Sequence, residues 1–187
     1  MDASIRASLN DVRSPDKDAQ NAAFTSLVQA TETTVDWAYE AWDEVAAMLR
    51  HESNRVRAIA SQVLCNLARS DPERRVLRNL NALLQVTRDE RFVTARHCLQ
   101  SLWKVGAAGP EQRRAVVDGL SRRFRECESE KNGTLIRYDI LEVLRKIHDA
   151  APEDDSVRRT AHELIALEPD PKYRKKYAGV WKGVPAA

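Results

Sequence analysis

His162-Glu163 opens like the zinc-protease signature His-Glu-x-x-His, in which two imidazoles one helical turn apart hold a metal and the glutamate activates water. The second imidazole would have to stand at position 166, which is alanine, so two imidazoles cannot meet one metal there. His97-Cys98 sets a base beside a thiol, but neighbours on a helix point about 100° apart and do not form a nucleophile–base pair by themselves. No serine sits in a glycine-flanked elbow, and no glycine-rich loop is present to cradle phosphates. Cys65, Cys98 and Cys127 are odd in number and lack paired metal-ligand spacing; they read as reduced thiols packed within helices. No catalytic residue, metal or cofactor is expected, and the chain reads as a non-enzyme.

Polar residues that do no chemistry still bind, and what they bind depends on the elements that carry them. From Arg55 to Leu67 the apolar residues Val56, Ile59, Ala60, Val63, Leu64 and Leu67 fall at i, i+3, i+4, i+7, i+8 and i+11. That is one face of a helix at 3.6 residues per turn. Before it, a helix ending at Val45–Arg50 is broken by His51-Glu52-Ser53-Asn54. Two short amphipathic helices cannot bury both faces alone, so they must stack on copies of themselves.

The rest of the chain supplies the copies. Residues 3–13 predict a helix with Ile5, Leu9 and Val12 inward. Ser14-Pro15 starts another to Ala30, with Ser14 as N-cap and Ala19, Ala23, Phe24, Leu27 and Val28 along one side. Thr34 caps a helix to Arg50 with Trp37, Ala41, Val45, Met48 and Leu49 buried. Asp71-Pro72 starts the next, carrying Val76, Leu80, Leu83 and Leu84. Residues 90–105 follow with Ala95, Cys98, Leu99, Leu102 and Trp103, then 110–127 with Val116, Val117, Leu120 and Phe124. After an Asn132-Gly133 turn, helices are expected over 135–148 and 153–168. Pro169 and Pro171 set off a last one with Tyr173, Tyr177, Val180 and Trp181. Nothing alternates with period two, so no sheet is expected.

The second helices align on a small inner residue and the leucines after it. Ala23-Leu27-Ala30, Ala60-Leu64-Leu67, Ala95-Leu99-Leu102 and Ile140-Leu144-Ile147 share the spacing 0, +4, +7, with offsets of 37, 35 and 45 residues. With Val56-Arg57-Ala60-Leu64 and Ile136-Arg137-Ile140-Leu144, this resembles the HEAT repeat, with armadillo repeats the near alternative. The resemblance implies an all-α, right-handed α-solenoid of stacked antiparallel helix pairs, roughly four to five repeats, in one domain over 1–187. It implies that second helices line the concave side and that Arg57 and Arg137 sit in a polar ladder between repeats. Residues 169–187 would then be a capping helix and tail. Their aromatic side would pack on Val157, Ala161, Leu164 and Ile165, leaving Arg174, Lys175, Lys176 and Lys182 in solvent.

Charge is uneven along this stack. Residues 1–50 hold four basic and nine acidic side chains, residues 51–125 fifteen and seven, and residues 126–187 eleven and twelve. A basic middle suits an anionic partner. Projected away from the apolar stripe, the second helices present Thr25, Gln62, His97 and Glu142 in one row. The next row is Gln29, Asn66, Ser101 and Lys146, and the third Glu32, Arg69, Lys104 and Asp149. Gln62, Asn66, Arg69, His97, Ser101, Lys104 and Lys146 are therefore the candidate groove, suited to an acidic or mixed-charge peptide or protein surface. The function expected is a scaffold or adaptor module, monomeric and cytoplasmic, with no stretch of ~20 apolar residues to span a membrane.

The alternative is nucleic-acid binding. HEAT-like alkylation-repair glycosylases set aromatic and acidic residues on a basic concave face. Arginines 74, 75, 78, 88, 91, 113, 114, 122, 123 and 125 would supply the cations. Of the tryptophans, Trp37, Trp103 and Trp181 fall on or beside packing stripes, which leaves Trp42 as the free one.

Overall fold

The structure, a computed structural model, describes residues 1–185, and all regular structure among them is helical. It divides into two compact units, Met1–Val105 and Gly106–Ala187. The first contains α1 (Ala3–Asp11), α2 (Lys17–Ala30), α3 (Ala38–Met48), α4 (Asn54–Leu67), α5 (Val76–Val86) and α6 (Phe92–Ser101). The short α7 (Trp103–Ala107) leads into α8 (Pro110–Glu126), α9 (Gly133–Ala150), α10 (Asp155–Leu167) and α11 (Pro171–Val180).

In the first unit α1 packs on α2, α3 on α4, and α5 on α6. The second members α2, α4 and α6 then lie side by side, with α4 in the middle. All six stripe residues of α4 are buried, as are Ile5, Leu9 and Val12 of the first pair and all five of the stripe Trp37–Leu49. That stripe is buried because α2, α3, α5 and α6 cover it. Ordering each backbone residue costs about 1–2 kcal/mol, and a helix of this length gains its stability from such packing, so its neighbours decide that it forms.

Helix starts differ from the sequence reading where a better acceptor lies nearby. Asp16, not Ser14, caps α2, accepting the Asp18 N–H at 2.9 Å, because a carboxylate at a helix N-terminus gains from the dipole as well as the hydrogen bond. Trp37, not Thr34, precedes α3. α5 starts at Val76 and not at Asp71-Pro72, with Arg74 in the left-handed region at φ 56°. Asp71 still governs that start: its carboxylate accepts from the Arg75 and Val76 N–H groups at 2.9 and 2.8 Å and from the Tyr39 hydroxyl at 2.8 Å. One buried side chain thus ties the start of α5 to α3.

Two guanidiniums bind within their own units. Arg57 Nε donates to Asp89 at 2.6 Å and Nη1 to the His51 and Glu52 carbonyls at 2.8 Å each. Arg137 donates from Nε to the Phe124 carbonyl at 3.1 Å and from Nη1 to the buried Glu168 at 2.9 Å. In the second unit, α9 packs against α8, α10 and α11. Tyr177 and Trp181 are buried, and their polar ends reach α9: Tyr177 Oη donates to the Thr134 carbonyl at 2.9 Å and Trp181 Nε1 to that of Leu141 at 3.2 Å. The aromatic side of α11 therefore seats on α9 as well as on α10, whose His162 ring meets Trp181 at 5.8 Å. Arg174, Lys175, Lys176 and Lys182 are exposed.

Candidate binding groove

The candidate groove residues separate by unit and by burial. Gln62, Asn66, Arg69, His97, Ser101 and Lys104 belong to the first unit, whereas Lys146 is an exposed residue of α9 in the second. Asn66 is only 2% exposed. Its Nδ2 donates to Thr31 Oγ1 at 2.9 Å, and its Oδ1 accepts from Lys104 Nζ. Ser101 is buried and donates to the His97 carbonyl at 2.8 Å. Arg69 reaches the Glu32 carbonyl. Thr31, Asn66 and Lys104 thus form a polar seam between neighbouring helix pairs, and its hydrogen bonds are made inside the protein. Buried amides need such partners, since each one left unsatisfied costs about 1–3 kcal/mol.

One to two turns earlier on the same helices the surface is open. A hollow of about 280 Å³ is lined from α2 by Asn21 and Phe24, from α4 by Asn54, Arg55, Ala58, Ile59 and Gln62, and from α6 by Val93, Thr94 and His97. Ala58 makes the dent: it stands between Asn21 and Val93 in the aligned register and is the shortest of the three side chains. Val93 is 65% exposed, the highest among the exposed large hydrophobic residues. Asn54 Nδ2 donates to Thr94 Oγ1 at 3.2 Å, joining α4 to α6. Arg55 joins α4 to α2 by donating from Nη2 to Asn21 Oδ1. Its Nε is buried and has no hydrogen-bond partner among the described residues. Gln62 Nε2 donates back to the Ala58 carbonyl at 3.0 Å, and His97 is exposed. None of the lining residues is acidic.

A second hollow, about 320 Å³, is lined by Leu49, Arg50, Arg57, Asn81, Gln85 and Asp89 among others. Its Arg57 and Asp89 are already paired. Burial pushes the Asp89 carboxyl upward, but the Arg57 guanidinium and the Arg91 N–H outweigh it and hold it below the usual carboxylate range.

The residues that suggested chemistry are placed otherwise. Cys98 is fully buried and donates to the Leu83 carbonyl at 3.2 Å. Burial pushes its thiol up to about 12, so at neutral pH it is not the thiolate a nucleophile must be. Trp42 is not free. It is 1% exposed, and its Nε1 donates to Asn79 of α5 at 2.9 Å, a partner 37 residues away. Among the arginines of the nucleic-acid reading, Arg123 is buried against Glu130, Arg113 pairs with Asp154, and Arg75 pairs with Glu73 while stacking over Tyr39. Arg55, Asn21 and Val93, central to the hollow, were outside the projected rows, although they lie on the same face four to seven residues earlier.

An all-helical chain of stacked antiparallel pairs, with a polar face along its second helices, is a helical-repeat protein. No protein-family model matches the sequence, and no curated protein sequence matches it. Among solved structures the chain is similar to one from the complex of CpcE and CpcF of phycocyanin lyase from Nostoc sp. PCC7120, at 16% identity and a TM-score of 0.63, covering 95% of this chain and 98% of that one. It is similar to a computationally designed armadillo repeat protein for modular peptide recognition, at 15% identity and a TM-score of 0.53, over 92% of this chain and 78% of that one. A designed armadillo repeat protein in complex with the peptide (KR)4 matches at 13% identity and a TM-score of 0.52, over 95% and 88%. The fold is that of the HEAT and armadillo type of helical repeat.

Proposed function

We propose that this chain is a non-enzymatic protein-interaction module that holds an extended, charged peptide segment across α2, α4 and α6. The observation that carries this reading is the hollow over Ala58, which combines an exposed aliphatic residue with polar side chains from three successive helices. Adjacent helices pack about 8–10 Å apart, so crossing from α2 to α6 takes about 16–20 Å. At about 3.3 Å per extended residue, that is five or six residues of a partner. The likeness to chains designed for peptide recognition, and to one solved in complex with a second protein, agrees with this role.

Selection of a displayed random hexapeptide library on the immobilised chain tests it. Saturable binders are expected, and amide hydrogen exchange of the complex should slow in residues 54–62 and 92–97. A selection that enriches nothing, or protection confined elsewhere, overturns the reading. A low-salt titration with duplex DNA is the control. Tight binding there, falling steeply with salt at about 0.9 log units per neutralised phosphate, would favour nucleic acid instead.

A further inference from the structure

The hollow carries a charge preference that the peptide-binding reading, on which this inference rests, leaves open. We infer that Arg55 and the open first turn of α4 form a subsite for a carboxylate side chain, Asp or Glu, whose aliphatic neighbour in the peptide sits against Val93 and Ala58.

Three observations converge on this. First, the Arg55 guanidinium is anchored on one side only. Nη2 is held by Asn21, whereas Nε is out of solvent and lacks an acceptor. A buried N–H without an acceptor is unfavourable, and a carboxylate is the acceptor that a guanidinium binds best, because the planar fork matches its two oxygens. Secondly, α4, which lines the middle of the hollow, starts there. Ser53 does not cap it with a side chain, and its first turn holds no acidic residue. The positive end of its dipole, in a helix of 14 residues, therefore lacks the anion that helix starts commonly gain, whereas the start of α6 already holds Asp89, whose carboxylate accepts the Arg91 N–H at 2.9 Å. The start of α4 also contrasts with those of α1, α2, α10 and α11, which are each capped by an aspartate carboxylate. Thirdly, no lining residue is acidic, so a carboxylate meets no like charge among them. A basic peptide such as (KR)4 would find no counter-charge among these residues.

The apolar half of the subsite follows from Val93. At 65% exposure, beside the shallow floor of Ala58 and Ile59 and the edge of Phe24, it offers area to one aliphatic side chain. Such a contact is worth having only where water is expelled from both partners. The ligand class is thus a short extended segment with an acidic residue adjacent to an aliphatic one.

The library selection, extended to variants of the full chain, separates this inference from the peptide-binding reading. Sequences enriched on the unaltered chain should pair Asp or Glu with Leu, Ile or Val. Arg55→Glu should abolish the acidic preference while binders are still selected, and an enriched peptide should bind that variant at least tenfold more weakly by calorimetry, the scale of one charge-assisted hydrogen bond. Val93→Asp keeps Arg55, places an acid in the first turn of α6 where the dipole tolerates it, and should weaken the same peptide comparably with an unchanged melting temperature. Binders that enrich without acidic residues, or that bind the Arg55→Glu chain as tightly, overturn the carboxylate subsite and leave the peptide groove standing. If Arg55→Glu does not fold, affinity unchanged by Val93→Asp overturns the subsite by itself. Absence of any binder overturns the groove.

Discussion

Trp181 offers the sharpest test of how the second unit is held. It follows α11, is 2% exposed, donates from Nε1 to the Leu141 carbonyl at 3.2 Å, and lies with its ring 5.6 and 5.8 Å from those of His148 and His162. The segment around it is short for a helix: ten residues, with Gly179 near its end. Isolated helices of this length do not persist in water, so α11 depends on what Trp181 and Tyr177 bury. Trp181→Ala should cost about 3–5 kcal/mol, the range for emptying a large aromatic site, and lower the melting temperature by about 6–20 °C at 2–4 °C per kcal/mol for a chain of this size. Trp181→Phe retains most of the ring area and forfeits chiefly the indole hydrogen bond, about 1 kcal/mol. Lys182→Ala, at an exposed position, should stay within about 0.5 kcal/mol. The assay is urea unfolding followed by far-UV circular dichroism on all three variants. Truncation after Asp170 should reproduce the alanine effect and raise the scattering mass, because the apolar faces of α9 and α10 would be uncovered. A Trp181→Ala loss below about 1 kcal/mol, with the truncated chain still monomeric, would refute the argument that burial and not local propensity holds α11 in place.

Other expectations follow from single contacts. Glu168→Ala should cost about 3 kcal/mol in the same urea experiment, because it removes the buried carboxylate from the buried Arg137 and leaves as its anionic neighbour the largely exposed Glu128 at 3.6 Å. Gly133→Ala should destabilise strongly, since a Cβ there would lie 2.3 Å from the Cys127 carbonyl oxygen, whereas Gly179→Ala, with nothing within 4 Å, should stabilise by about 0.5–1 kcal/mol; equal melting temperatures for the two would contradict the close approach at Gly133. Asp89 is held below its ordinary value, so its contribution is complete above about pH 4 and is lost as pH falls through the lower native value. The stability difference between the unaltered chain and Asp89→Asn, read from urea midpoints between pH 6 and pH 2, should therefore shrink toward the acid end.

The sequence by itself determined where the helices bury their faces. Hydrophobic spacing is a local property: Val56, Ile59, Ala60, Val63, Leu64 and Leu67 share a side because 3.6 residues make a turn, whatever lies opposite. The 0, +4, +7 register of the second helices was legible for the same reason, and so was the all-α repeat fold. Tertiary structure decided which polar residues remained available. Asn66 looks like a groove residue in projection, yet Thr31 and Lys104, 35 and 38 residues away, take up its amide. Trp42 looks free until Asn79 receives its N–H. Conversely, the hollow at Ala58 exists because a small side chain on α4 falls between Asn21 of α2 and Val93 of α6. A helical projection places those three residues on one face but cannot show that their differing lengths leave a space. Hydrogen-bond satisfaction and shape depend on partners far along the chain, and only packing brings those partners together.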